Sequence, residues 1–188
     1  PWVSDLTISA FAIEENGAIL MSFSAAGEVP DVGWIDDSDI VRYDPNSNTW
    51  ELYFDGSQVG LTRSGEDIDG ITFAPDGRLL ISTVGNAKVS GGVRGADEDL
   101  LAFEATSLGS DTSGSWSHYM DGSDIGLSSS KEDVDAVSVT SDGTIYVSTT
   151  GNLSVDAVSG KDEDVAIFDA TSLGSNTTGT FRSTLYFD

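Results

Sequence analysis

Short apolar runs rich in β-branched and aromatic residues, broken by clusters of Gly, Asn, Asp and Ser, fill the chain, and no stretch keeps a 3.6-residue helical period. In the middle of the sequence Gly70-Ile71-Thr72-Phe73-Ala74 reads as a strand, Pro75-Asp76-Gly77 as a tight turn and Arg78 to Thr83 as the returning strand. Asp-Gly between two apolar runs is a hairpin signal, because it tolerates the positive φ that such turns need. A loop rich in Gly and Asn follows. Leu100 to Ala105 and Ser115 to Met120 then make a third and a fourth strand around the turn-forming Ser107 to Gly114.

This four-strand pattern repeats. Tyr53-Phe54-Asp55-Gly56-Ser57-Gln58-Val59-Gly60-Leu61 returns as Tyr119-Met120-Asp121-Gly122-Ser123-Asp124-Ile125-Gly126-Leu127, and Glu66-Asp67-Ile68-Asp69 returns as Glu132-Asp133-Val134-Asp135, both at an offset of 66. Asp97-Glu98-Asp99 with Phe103 and Ala105 to Gly109 returns as Asp162-Glu163-Asp164 with Phe168 and Ala170 to Gly174, at an offset of 65. A more diverged copy precedes them: Asn16-Gly17 matches Asp76-Gly77, and Asp37-Ser38-Asp39 with Tyr43 matches Asp97-Glu98-Asp99 with Phe103. The chain thus divides into units 1–61, 62–127 and 128–188. Four-stranded units in tandem predict an all-β fold, a β-propeller with three blades in the chain, against a β-sandwich or a linear array of small β domains as the rival. Propellers close with about 4 to 8 blades, so the expectation is a head-to-tail homodimer forming a six-bladed ring, or else a longer parent chain.

Blade topology places the acids. In a four-stranded meander the loop leading to the next unit and the loop between the second and third strands leave at one rim, and the two remaining turns leave at the other. Glu66, Asp67 and Asp69 share the first kind of loop with Glu132, Asp133 and Asp135. Asp97, Glu98 and Asp99 share the second kind with Asp162, Glu163 and Asp164, and unit 1 adds Asp36, Asp37 and Asp39. All these carboxylates are therefore predicted on one rim, where their repulsion calls for a bound cation. Calcium fits, as a hard ion taking 6 to 8 oxygens from flexible loops, with carbonyls from Gly85-Asn86 and Gly151-Asn152 as further ligands. No EF-hand pattern is present, and the rival reading is a solvated acidic face of the kind that keeps a protein soluble in high salt.

Composition narrows the functions. Lys and Arg total 8 against 32 Asp and Glu, a formal charge of −24, which excludes nucleic acid and anionic membranes as partners. With no Cys and one His, thiolate zinc sites, cysteine nucleophiles and disulfides are excluded, and zinc and copper are disfavoured. No apolar run approaches the ~20 residues that span a bilayer, so no membrane insertion is expected. The chain opens on Pro1 rather than Met, which reads as a processed or cut terminus.

Single residues divide similarly. Asp55 and Asp121, each before Gly, read as turn residues ahead of ligands. Trp50, Trp116 and Phe181 recur on the fourth strand and are expected between blades, whereas Trp2 and Trp34 lie outside the repeat. Trp34 is read as core or rim packing, with sugar stacking as the alternative. His118 is matched by Ser183, so no catalytic role recurs with it and it reads as structural.

The strings Tyr-Phe-Asp-Gly-Ser-x-Val-Gly-Leu, Glu-Asp-x-Asp, Ser-Thr-Thr-Gly-Asn (Ser148 to Asn152) and Asp-Glu-Asp resemble an acidic β-propeller repeat of secreted bacterial and metagenomic proteins, of uncharacterised role. The likeness covers residues 50–188; unit 1 lacks both Glu-Asp-x-Asp and Thr-Gly-Asn. It implies an extracellular or periplasmic bacterial setting and no particular reaction. The sequence reading is therefore a non-enzymatic, calcium-stabilised binding or adhesion module offering a surface to a glycan or protein. Its alternatives are a calcium-dependent hydrolase of phosphate esters or lactones with Asp69 or Asp135 as base, and a half-propeller with only an assembly role. A Ser-His-Asp triad is excluded, since there is one His and no Gly-x-Ser-x-Gly elbow.

Overall fold

The computed structural model describes residue 3 and residues 5–188; Trp2 lies outside the described residues. The fold is all-β, built on three four-stranded antiparallel sheets. The first unit contains β1 (Ile8–Ile13), β2 (Ile19–Phe23), β3 (Gly27–Val29), β4 (Gly33–Ile35), β5 (Ile40–Asp44) and β6 (Thr49–Phe54). The second contains β7 (Ile68–Phe73), β8 (Leu79–Thr83), β9 (Ala87–Lys88), β10 (Arg94–Gly95), β11 (Leu100–Ser107) and β12 (Ser113–Met120). The third contains β13 (Val134–Val139), β14 (Ile145–Thr149), β15 (Ser154–Val155), β16 (Val158–Ser159), β17 (Ala166–Ser172) and β18 (Thr178–Phe181). The sheets run β1-β2-β5-β6, β7-β8-β11-β12 and β13-β14-β17-β18, each a meander, and each connection between second and third strands carries a two-stranded ribbon, β3-β4, β9-β10 or β15-β16. Three such sheets fit three propeller blades.

The hairpin between first and second strands forms where Asn16-Gly17 and Asp76-Gly77 predict it, and Asp142-Gly143 makes the same turn in the third unit. Gly17, Gly77 and Gly143 adopt φ of 86°, 88° and 86°, a region that costs glycine little. The ribbons were not predicted. They are only two or three residues long, too short for a period of two to register in sequence.

Sheets stack face to face through apolar side chains. Between the first two, Leu20, Ile40 and Phe54 meet Ile68, Ile71, Ile81 and Phe103. The Phe54 ring lies 5.2 Å from Phe103 and 6.0 Å from Trp116, edge-on in both pairs. Between the second and third, Leu80, Leu100, Ala102 and Met120 meet Val134, Val147 and Phe168. Trp116 is where the repeat predicts an inter-sheet aromatic, and its indole N–H donates to the Val59 carbonyl of the preceding unit at 3.1 Å. Trp116→Phe is expected to cost about 1–2 kcal/mol, chiefly by leaving that buried carbonyl unpaired, as a denaturant titration would measure.

The far face of the first sheet has no such neighbour. Leu6, Ile8, Met21, Phe23, Tyr43 and Trp50 line an apolar groove there of about 460 Å³. Trp50, the repeat equivalent of Trp116, buries its indole nitrogen with no acceptor. Along β1, Phe11 and Ile13 are 64% and 65% exposed.

The first strand of every sheet borders one common groove of about 570 Å³, lined by Ser9 to Ile13, Asp69 to Phe73 and Asp135 to Val139. At one end of it each strand carries a β-bulge. Ile68 and Gly70 pair with the adjacent Thr83 and Ser82, so Asp69 is the extra residue; Ser9 and Asp135 hold the same place in β1 and β13. A bulge re-aims the inserted side chain, so the recurring third acid of Glu-Asp-x-Asp leaves the ordinary alternation of the strand.

Candidate acidic rim between the sheets

The two kinds of acidic loop do meet at one end of the sheets. The N–H of Ile68 donates to the Asp37 carbonyl at 3.2 Å and that of Val134 to the Asp97 carbonyl at 3.1 Å, so each second-to-third-strand loop is tied to the start of the next sheet. In the second sheet the turn between third and fourth strands lies beside the hairpin turn between the first two, as expected, and Leu108 lines one pocket with Asp76 and Gly77. Gly109 N–H donates to the Tyr53 carbonyl and Gly174 N–H to that of Tyr119, both at 2.8 Å, latching each turn to the end of the preceding sheet.

The acids then separate by role. Glu66 is fully buried: its Oε2 accepts from the N–H groups of Thr62 and Arg63 at 2.7 and 2.8 Å, and its Oε1 from that of Lys88 at 2.9 Å. Glu132 repeats this with Ser128, Ser129 and Ser154. Each glutamate pins the loop entering its sheet onto the neighbouring ribbon. In the first unit the equivalent Leu6 packs against Gly27 instead, the apolar counterpart of that clasp.

Asp39, Asp99 and Asp164, the last acid of each triplet, are also structural acceptors. Asp39 takes the N–H groups of Asp36 and Gly56 at 2.8 and 3.0 Å, and Asp99 those of Ala96 and Gly122 at 2.9 and 2.8 Å. Asp164 takes that of Lys161 at 2.7 Å, and its Oδ1 is buried without a partner. Gly56 and Gly122 are held so close to the Ser38 and Glu98 carbonyls that a Cβ at either would collide with them. Burial raises the pKa of Asp39 to about 6 and raises that of Asp99. The sequence reading offered these five acids to a cation; the structure gives their oxygens, apart from Asp164 Oδ1, to backbone N–H donors.

The remaining acids line the seams. Asp37 and Asp67 face each other between the first two sheets, and burial, then the Asp67 charge, raises Asp37. Between the second and third sheets the group is larger. Asp69 is 7% exposed, its Oδ1 accepts from Ser82 Oγ at 2.7 Å, and its Oδ2 is buried without a partner. Burial, followed by the charges of Asp133 and Asp135, lifts it to about 8. Asp133 is also 7% exposed and is lifted to about 7 by burial, then by Asp97 and Asp135. Burial raises Asp135 as well, and Asp133 Oδ1 and Asp135 Oδ1 are both buried without a partner. Glu98, beside Asp97, is pushed up to about 7 by burial and by its hydrogen bond to that neighbour. Asp162 and Glu163 are exposed, and Glu163 pairs with Lys161 at 3.4 Å.

Among the described residues, no three acids or histidines are gathered tightly enough to ligate one ion directly as they stand. Three of the five arginines pair with acids elsewhere: Arg42 with Glu14 and Glu51, Arg78 with Asp76 and Arg182 with Asp169. Ser82, which orients Asp69, escaped the sequence reading, because a serine on a strand carries no signal until the bulge is known.

Asp55 and Asp121 are turn residues: each Oδ1 accepts from the Oγ of Ser57 or Ser123 at 2.7 Å and from a backbone N–H one residue further on, opening a one-turn 3₁₀ helix. His118 Nδ1 lies 4.0 Å from Asp99 Oδ2. Trp34 is not packed in a core; it is 76% exposed on β4, because the ribbon carries it clear of every sheet. Among the described residues no helix is long and apolar enough to cross a membrane. No protein-family model matches the chain, and no curated protein matches it.

Proposed function

We propose that the chain is a calcium-binding, extracellular β-propeller segment that acts as a binding or adhesion module, its rim loops fixed by cations and its surface offered to a glycan or protein. The observation that carries this reading is the seam between the second and third sheets, where carboxylates from both sides are buried together with oxygens that accept no hydrogen bond. Buried like charges without partners cost several kcal/mol unless protonated or bound by a cation. The exposed Trp34, on the ribbon beside the rim, offers a flat ring to a sugar or side chain.

The apolar open face of the first sheet supports a neighbouring sheet in the assembly, which a second copy joined head to tail into a six-bladed ring would supply. Trp50, with no acceptor for its indole N–H, is the group such a neighbour would engage, as Val59 engages Trp116.

Thermal melts of the full chain test the cation reading. Calcium is expected to raise Tm by several degrees over chelator at pH 7–8, and equal values in both would overturn it. A second reading, a cation-dependent hydrolase, draws on one observation: Asp69 and Asp135 both line the shared groove. Turnover of a phosphate ester or lactone in calcium, lost in Asp135→Asn, would support it, and inertness toward both substrate classes would remove it.

A further inference from the structure

Resting on the reading of the chain as a cation binder, we infer that one divalent cation, calcium by its oxygen-only donors, binds at the seam between the second and third sheets, held by Asp69 from one side and Asp133 and Asp135 from the other. Two of these residues are 7% exposed, and each of the three presents a buried carboxylate oxygen without a hydrogen-bond partner. No other place among the described residues collects such oxygens: the remaining unpartnered buried side-chain atoms belong to Trp50, His118 and Asp164, which are scattered.

Geometry brings the three together. Asp69 and Asp135 are the bulge residues of β7 and β13, the innermost strands, and both border the common groove. Ser82 Oγ holds Asp69 Oδ1 and so fixes which oxygen stays free. Val134 N–H, bonded to the Asp97 carbonyl, locks the Asp133 segment against the second sheet and brings the Asp97 backbone and carboxylate beside it. As they stand, the three acids are not gathered tightly enough to ligate one ion directly. Small side-chain rotations and water fill a sphere of 6 to 8 oxygens, which suits calcium and penalises magnesium, whose octahedron is smaller and stiffer.

The seam between the first two sheets is the internal control. There the bulge residue of the first sheet is Ser9, whose Oγ donates to the Ile68 carbonyl at 2.8 Å. Asp37 and Asp67 are partly exposed, and neither carries an unpartnered buried oxygen. The repeat thus builds one complete site in this chain, and the ion would bridge two sheets that otherwise meet only through apolar packing and a few hydrogen bonds.

Calcium titrated calorimetrically into the chelator-stripped full chain at pH 8, with melts in chelator and in calcium, tests the assignment. Wild type is expected to bind one ion tightly. Asp69→Asn and Asp133→Asn should each weaken binding at least tenfold and, by removing an unpaired buried charge, raise Tm in chelator while abolishing the further rise in calcium. A merely structural carboxylate would instead lose stability in both media. The double variant Asp37→Asn with Asp67→Asn should bind like wild type. Asp135→Asn, at a less buried position, gives a second reading should either buried variant fail to fold. Absence of calcium binding by wild type would overturn both this site and the cation reading; wild-type affinity retained in all three seam variants would overturn the site alone.

Discussion

Glu66→Ala is expected to lower stability by on the order of 3–5 kcal/mol, which for a chain of 188 residues lowers Tm by roughly 10 °C or more. The side chain is fully buried and is the acceptor for three backbone N–H groups, from Thr62, Arg63 and Lys88. Bonds to an ionised carboxylate are stronger than neutral ones, and truncation leaves three donors facing a cavity. Glu66→Gln keeps one acceptor oxygen but turns an amide N–H₂ toward a backbone donor, so about half the loss should remain. Since the carboxylate acts by pinning a loop, the loss should be the same in chelator and in calcium. A Glu66→Ala variant that melts like wild type, or whose defect appears only in calcium, would show that this glutamate works as an ion ligand instead.

The same acid explains what could be read in the sequence and what could not. The fold was legible because its signals are local and repeated: Asp76-Gly77 in its hairpin, the spacing of Phe103 and Trp116, and the offset shared by Tyr53 to Leu61 and its copy. The gathering of both acidic loops at one end followed from connectivity alone. The roles of individual acids did not. Glu66, Asp67 and Asp69 are near neighbours in sequence, yet one turns inward to backbone donors, one lies on the seam surface, and one is thrown out of register by a bulge. Side-chain direction there depends on the bulge and on the neighbouring ribbon, which are properties of the paired backbone. Trp34 shows the same limit: its residue type suggested packing, and only the ribbon's position reveals that it faces water.

Stripped of divalent cations, the protein is expected to be most stable in mild acid and to lose stability as the pH rises from about 5 to 8, the reverse of a chain held by ordinary salt bridges. Asp69 is raised from 3.8 to about 8 and Asp133 to about 7, so the folded state holds protons that the unfolded state has already released. A carboxyl with a folded pKa above its unfolded value contributes stability that is complete below the unfolded pKa and lost as pH climbs through the folded one. One such group changes stability by about 1.4 kcal/mol per pH unit within that window, so Asp69 alone imposes a fall on the order of 3–4 kcal/mol between pH 5 and pH 8. A cation competes with those protons for the same carboxylates, so excess calcium should matter little at pH 5 and progressively more toward pH 8, flattening or inverting the slope. Melts across this range in chelator and in calcium measure both curves. Parallel curves, or a chelated protein that gains stability toward pH 8, would mean that the seam carboxylates are ionised and solvated in the folded chain, with neither proton nor metal to hold.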